Sequence, residues 1–450
     1  MAATLPLDTQ RLAQRGEAAQ LAADLTSYPA SNLDNGFLAV TPPIEAEHDA
    51  WDLAASLEPI DKNAKPLVAI IGVGYVGTHL FEVFSREYNT LGFEVSERRV
   101  QDLKSCFEGN QRVSLTSTSR HLHTATHFLI SVPTLLLPDK SVDTSYLRSA
   151  LKTVAAHARP GSTVVIESSV AIGMTRDLLG PIAKIRGFYA GMSPERVDPG
   201  RTEPPAYAIP KVISGLDDVV PGSLEAIRAL YTRVFDRIVP VSKPEVAEMT
   251  KLYENCQRMI GIAYANEMAE AARAHGINPY EVCQAASTKP FGYTSFFPGV
   301  GVGGHCIPVN PHYLLSNSSF PLLAAASEVM TRRPATLAAR AVEELTKDRS
   351  NHGRKPRVLV VGIGFKAGQS TLSNSPGLDL IKHLSLHGSV QVQFADPLVR
   401  QEDVPQVSRL ADCDWNRKIL ACFDRIIVTM RQVGLDFGLL DDIPDVHVEW

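Results

Sequence analysis

The sequence predicts an α/β protein in which two Rossmann-like α/β domains are joined by a helical middle domain with a long central helix. Three observations carry this reading. An apolar strand runs into a glycine turn and a helix over residues 67–84. A second such unit opens at Arg357. Between them, residues 244–275 form one uninterrupted helical stretch.

The chain has 450 residues, more than one ordinary core accommodates, and its 44% hydrophobic and 21% charged residues are those of a globular protein. The net charge of −5 sets up no global field to attract nucleic acid or an acidic membrane surface, so neither is expected as a partner. An anionic ligand is still admitted, because a cradle of backbone N–H groups binds phosphate inside an acidic protein. The N-terminus lacks the basic-then-apolar pattern of a secretory signal, and no apolar run reaches the ~20 residues that span a bilayer. The six cysteines form no C-x-x-C pair, which favours reduced thiols and a cytoplasmic protein.

Taken in order, residues 1–65 read as a loosely ordered extension, with short helices expected over 12–25 and 51–57. Residues 66–215 form the first α/β domain: LVAIIGVGYVG is a strand ending in glycines, THLFEVFSREY a helix, LGFEV the next strand, and 128–132 and 163–166 are later strands. Residues 216–330 form the helical middle. In it the stretch 244–275 begins at Pro244 and is followed by Gly276, a favoured start and stop. Its apolar residues Val246, Met249, Leu252, Met259 and Ile262 recur at three and four. At ~1.5 Å per residue it exceeds roughly 40 Å, which suits a strut between domains and the seam of a homodimer. Residues 331–450 form the second α/β domain, with RVLVVGIGFKAG, a helix, and the strands in VQVQFADP and FDRIIVTM.

The first chemical constellation is Gly72-x-Gly74-x-x-Gly77, which follows a strand and opens a helix. The first glycine permits the tight turn, the second lets backbone approach a pyrophosphate, and the third lets helix and strand pack closely. Glu94 ends the next strand about twenty residues on, where a carboxylate accepts from ribose hydroxyls and repels a 2′-phosphate. This points to NAD rather than NADP, although Arg99 lies nearby. The second constellation is on the long helix. Lys251 and Asn255 lie four apart with Arg258 near the same face, a set able to hold an oxyanion or phosphate or simply to face water. The third is FPGVGVGGHCIP (297–308), a glycine- and proline-rich loop with exposed N–H groups that holds Cys306 at its end. Read alone, Cys306 suits a buried inert thiol as well as a nucleophile. His121, His123 and His127 have ligand-like spacing but no accompanying acidic or cysteine cluster. They read as surface histidines, and no metal is expected.

These residues, together with SVPT (131–134), SPERVDPG (193–200), AEMTKLYEN (247–255), Asn266-Glu267, GFK (364–366) and NSP (374–376), resemble the UDP-glucose/GDP-mannose dehydrogenase superfamily over most of residues 66–430. The stretch STKPFGYTSFFPGVGVGGHCIPVNPHYL is most similar to the UDP-N-acetylglucosamine 6-dehydrogenase branch. The resemblance implies NAD bound by the first domain, a dimerising middle and a UDP-sugar bound by the last domain. It implies oxidation of the C6 alcohol to the uronic acid through a thiohemiacetal and a thioester on Cys306. By position, Lys251 and Asn255 match the oxyanion-stabilising pair, and Glu195 the residue that handles protons through water. Ser169 stands where the family usually has threonine. Cofactor contacts are implied for Gly72, Gly74, Tyr75, Val76, Gly77, Glu94, Arg99, Pro133, Thr134 and Ser169. Substrate contacts are implied for Lys251, Asn255, Arg258, Phe297, Gly303 and Lys366.

The chain departs from the family pattern in several places, among them Val170-Ala171-Ile172-Gly173-Met174-Thr175 where Val-Pro-Pro-Gly-Thr-Thr is usual. Asn310 stands where aspartate is usual, and Ser370, Thr371 and Ser373 replace an acidic pair and an arginine. An amide cannot act as a base. A repurposed member that stops at the aldehyde or thioester, or performs redox-neutral epimerisation, is therefore the alternative reading.

Overall fold

A computed structural model of the chain describes residues 57–61, 64–198, 201, 203–347, 354–441, 443–444 and 446–450. The two short N-terminal helices and most of the extension expected over 1–65 lie outside the described residues.

The first sheet contains β1 (Leu67–Ile71), β2 (Asn89–Phe93), β3 (Val113–Thr116), β4 (His127–Ile130), β7 (Thr163–Ile166), β8 (Tyr189–Met192), β9 (Lys211–Gly215) and β10 (Ile238–Pro240). A small hairpin, β5 (Leu135–Leu136) with β6 (Val142–Asp143), sits apart. The strand order is β10-β9-β8-β7-β4-β1-β2-β3. From β3 to β8 all neighbours are parallel, and β9 joins antiparallel to β8. This is a doubly wound sheet whose order reverses between β1 and β4, the switch point at which open α/β sheets bind ligands. The parallel strands are buried on both faces, by α1 (Tyr75–Phe84), α2 (Glu97–Cys106), α3 (Ser145–His157), α4 (Met174–Arg186) and α5 (Ser223–Tyr231). The sheet runs past the boundary expected at 215, because β10 pairs with β9 and α5 packs into the same core.

The middle domain is built on α6 (Pro244–Arg273), with α7 (Pro279–Ser287) and the short α8 (Asn310–Leu315). The second long helix, α9 (Pro321–Lys347), was not expected as one element. It crosses the expected 330/331 boundary without a break and carries Pro334 inside it. Its N-terminal residues Leu323, Ala326 and Met330 pack with Leu252, Cys256 and Met259 of α6. Its C-terminal residues Leu337, Ala338, Ala341 and Leu345 pack into the last domain. One helix therefore serves two cores, which is why neither composition nor a turn signal marks a boundary there.

The last domain is a parallel five-stranded sheet, ordered β13-β12-β11-β14-β15: β11 (Arg357–Val361), β12 (Gln391–Ala395), β13 (Ser408–Arg409), β14 (Arg425–Val428) and β15 (His447–Glu449). Its glycine turn leads through residues 362–375 into α10 (Pro376–His387), which is capped by the Ser375 hydroxyl. The four-residue α11 (Arg417–Leu420) precedes β14.

Candidate active site

The glycine turn after β1 separates the roles of its three glycines. Gly72 has φ +85°, a left-handed value that disfavours any side chain. A methyl at Gly77 would lie 2.0 Å from the Gly72 carbonyl oxygen, so helix and strand pack there with no room to spare. A methyl at Gly74 would meet nothing within 4 Å. The turn opens at that point, and α1 begins there without a side-chain cap, leaving its first N–H groups available to an anion. Glu94 is fixed beside the turn, accepting from the Val73 N–H at 3.0 Å and the Ser96 N–H at 3.2 Å. Each carboxylate oxygen keeps a lone pair for a ribose hydroxyl. Arg99 reaches back over the turn to the Val73 carbonyl (3.3 Å) and the Thr78 hydroxyl (3.4 Å). Tyr75 is exposed, Val76 half-buried, and Pro133 and Thr134 follow β4 across the switch point. An opening at Gly74, an uncapped helix start and an oriented carboxylate fit a dinucleotide.

The long helix turns its polar stripe inward. Lys251 is 6% exposed and Asn255 fully buried, while Tyr253 is 71% and Tyr264 60% exposed. This reverses the usual amphipathic order, and the solvated-face reading of Lys251 and Asn255 fails. Met249, expected among the buried apolar residues, is exposed. The Arg258 guanidinium donates to the Asn255 side-chain oxygen, and the Asn255 amide nitrogen donates to the side-chain oxygen of buried Asn310. Asn310 begins α8, and its backbone N–H donates to the Cys306 carbonyl at 2.9 Å. Burial holds the Lys251 ammonium below the ordinary lysine range, partly offset by Cys306 and Glu195, both near enough to act on it. Cys306 is half-buried. Cys256, by contrast, is fully enclosed and its thiol is pushed up to about 11 by burial.

The cysteine loop takes its shape from the last domain. Gly304 has φ +88°, and a methyl there would lie 2.8 Å from the Phe365 ring. A methyl at Gly303 would meet Pro376 at 2.9 Å and the Asn374 carbonyl at 3.0 Å. The Asn374 amide donates to the Gly304 carbonyl at 2.9 Å. His305 lies edge-on to Phe365 with ring centroids 6.4 Å apart, and burial depresses its basicity. The loop entrance is held by Asn266, whose side-chain oxygen accepts from the Gly299 N–H at 2.9 Å. Asn266 is fully buried and so is not ordinary helix polarity, whereas Glu267 is exposed. Phe297, at the same entrance, is 50% exposed.

Glu195 is gripped on both oxygens. One accepts from the backbone N–H groups of Arg196 (2.7 Å) and Val197 (2.9 Å), the other from Lys211 Nζ at 2.9 Å. Lys211 also donates to Glu167 at 2.6 Å, and the Tyr231 hydroxyl donates to the other oxygen of Glu167. Sequence reading missed Glu167, Lys211 and Tyr231. The only signals were a carboxylate directly after β7 and a lysine opening an apolar strand, both of which look like ordinary strand ends. Ser169 lies two residues beyond Glu167, half-buried. Lys366 is 3.1 Å from Asp198 and so ties the last domain to the SPERVDPG segment. His127 is a half-buried residue of β4 rather than a surface histidine. Among the described residues no cluster of His, Cys, Asp and Glu is arranged to hold a metal ion.

A cavity of about 840 Å³ opens behind the loop, walled by Pro298, Gly299 and Val300. Of its arginines, Arg333 and Arg340 pair with Glu270 at 3.1 and 2.8 Å and Arg340 with Glu449 at 2.9 Å, while Arg431 lies over the Trp450 ring. Cys306 does not line it.

The fold and this site define an NAD-dependent dehydrogenase of nucleotide sugars. The chain belongs to the UDP-glucose/GDP-mannose dehydrogenase family: residues 66–235 match its NAD-binding domain and residues 245–329 its central domain. A UDP-N-acetyl-D-glucosamine 6-dehydrogenase of Pseudomonas aeruginosa is 31% identical over 75% of this chain and 84% of its own length. The solved UDP-D-ManNAc dehydrogenase of Pyrococcus horikoshii superposes with a TM-score of 0.73 at 28% identity, covering 83% of this chain and 91% of that one. A UDP-glucose dehydrogenase structure from Pyrobaculum islandicum, at 21% identity and TM-score 0.73, shares the fold.

Proposed function

We propose that the chain oxidises the C6 alcohol of a UDP-N-acetylhexosamine, UDP-N-acetylglucosamine or a close epimer, to the uronic acid with Cys306 as nucleophile. The observation that carries this is the convergence of Lys251, Asn255 and Asn310 on the cysteine loop, reinforced by relatives named for UDP-N-acetylglucosamine and UDP-N-acetylmannosamine. NAD bound at Gly72–Gly77 and Glu94 would supply the hydride acceptor for two successive oxidations. The thiolate of Cys306 adds to the C6 aldehyde and gives a thiohemiacetal, and its oxidation product is a thioester. The Asn255 amide has two N–H bonds. One is spent on Asn310, and the other remains for the oxyanion beside the Lys251 ammonium. Glu195 handles the hydrolytic water, and Ser169 flanks it. Arg258, Phe297, Gly303 and Lys366 frame the nucleotide sugar, with Lys366 exchanging Asp198 for substrate.

The outward face of α6, carrying Tyr253, Tyr264 and Met268, supports a homodimer formed through the middle domain. Among the described residues no helix is long and apolar enough to cross a membrane. Six free thiols suit the reducing cytoplasm.

The test is incubation with NAD⁺ and UDP-N-acetylglucosamine, UDP-N-acetylmannosamine or UDP-glucose, reading NADH by absorbance and the sugar by mass spectrometry. Absence of NADH with all three sugars removes the proposal. Cys306→Ala should lower uronic-acid formation on the order of 10³-fold or more. Asn310 favours a second reading, a relative that stops at the aldehyde or thioester or epimerises its substrate. Two NADH per sugar with free uronic acid would reject it.

A further inference from the structure

We propose that Lys211 is a positioning residue: clamped between Glu167 and Glu195, it holds Glu195 in one orientation, so that a single open acceptor site on Glu195 aligns the hydrolytic water. This rests on the reading of Glu195 as the water-handling group.

The geometry carries the inference. Lys211 opens β9 and is 2% exposed, Glu167 directly follows β7 and is 1% exposed, and the Glu195 side chain is 11% exposed. An ammonium this deep is stable only if paired. Lys211 has two carboxylates, at 2.6 and 2.9 Å, and a third acceptor in the Pro194 carbonyl at 3.4 Å. All three of its N–H bonds are therefore spent inside the protein. A carboxylate offers about four lone-pair sites. On Glu195 two are filled by the Arg196 and Val197 N–H groups and one by Lys211. One site remains on the oxygen that Lys211 touches, which fixes the direction from which a water is accepted.

The groups facing Glu195 are Lys211, Glu167 and Tyr231 from the sheet side and Lys251 from α6. The Arg196 guanidinium turns away to Glu254 and the Pro210 carbonyl. Burial alone would raise the Glu195 carboxyl. Lys211 and the two backbone N–H groups outweigh burial and hold it below the ordinary carboxylate range. Glu167, which lacks backbone donors, is pushed up to about 7 by burial despite Lys211. On acidification the network takes its proton at Glu167 and spares Glu195. In the hydrolytic step the water oxygen bonds to the thioester carbonyl carbon, the C–S bond breaks, and the water proton goes to the departing Cys306 thiolate.

The experiment compares wild type, Lys211→Met, Lys211→Arg, Glu167→Gln and Glu195→Gln in the full chain. The readouts are the pH profile of kcat and pH-difference infrared spectra of the carboxylic acid C=O stretch, which need no substrate. Glu195→Gln assigns the Glu195 band. Lys211→Met should move the acidic limb and the Glu195 band upward by about 1–3 pH units, and Lys211→Arg should restore both. Glu167→Gln, which leaves Lys211 to Glu195 alone, should remove the band that titrates near neutrality and move Glu195 lower. A Lys211→Met protein that binds NADH as wild type does, with Glu195 titrating unmoved, overturns the proposal. Should that variant fail to fold, an unmoved Glu195 band in Glu167→Gln overturns it equally. Full turnover by Glu195→Gln would instead sink the role given to Glu195, while the infrared result on Lys211 would still stand.

Discussion

The side-chain amide of Asn255 donates to the side-chain oxygen of Asn310, and Arg258 fixes the direction of that bond by donating to the opposite end of Asn255. Asn310 therefore occupies the acceptor position that a carboxylate would fill at the same site. The hydrogen-bond geometry survives the amide; the negative charge and the basicity do not.

Asn310→Asp should accordingly keep the Asn255 bond and add a base beside Cys306 and Lys251. Positioned acid–base groups contribute about 10²–10⁴-fold, so a rise in uronic-acid release of about 10²-fold is expected. The measurement is steady-state turnover with product quantified by mass spectrometry. An unchanged rate would show that the amide already suffices.

Gly304→Ala should damage the loop without touching a chemical group. It places a methyl 2.8 Å from Phe365 at φ +88°. A non-glycine residue forced into a sparsely populated backbone region costs about 1–3 kcal/mol. The expected result is a lower denaturant midpoint and a kcat reduced by at least about tenfold, while NADH affinity, proposed to be set at the Gly72–Gly77 turn, stays near wild type.

Asn266→Ala removes the acceptor for the Gly299 N–H at the loop entrance. A buried donor left without a partner costs about 1–3 kcal/mol. Stability should fall by that order and KM for the nucleotide sugar should rise. Wild-type values for both would mean that water replaces the amide.

His127 gives a pH signature in stability. Burial holds its imidazole down to about 4, against an ordinary value of 6.5. Between those values the unfolded chain binds the proton and the folded chain does not, so stability rises with pH across the window and is lost as pH falls toward 4. The contribution is at most about 3 kcal/mol. His127→Gln should flatten the slope of unfolding free energy against pH over that window, and an undiminished slope would assign it to another group.

The sequence by itself determined the glycine turn, the alternation of strand and helix in both α/β domains, the start of α6 at Pro244 and the loop that presents Cys306. Each is a local matter. Glycine allows backbone conformations that other residues resist, and periodicity over a short window separates strand from helix. Only the tertiary structure decided what Lys251 and Asn255 face. Spacing places two residues on one side of a helix, but whether that side meets water or protein depends on what packs against it, and here Asn310 and the cysteine loop do. The same holds for Glu195. Its motif was legible, but its partners Lys211 and Glu167 come from strands that pair only when β7, β8 and β9 assemble. Burial of three charged side chains is costly unless they meet one another. That condition is set by the packed fold, and no short window of sequence contains it.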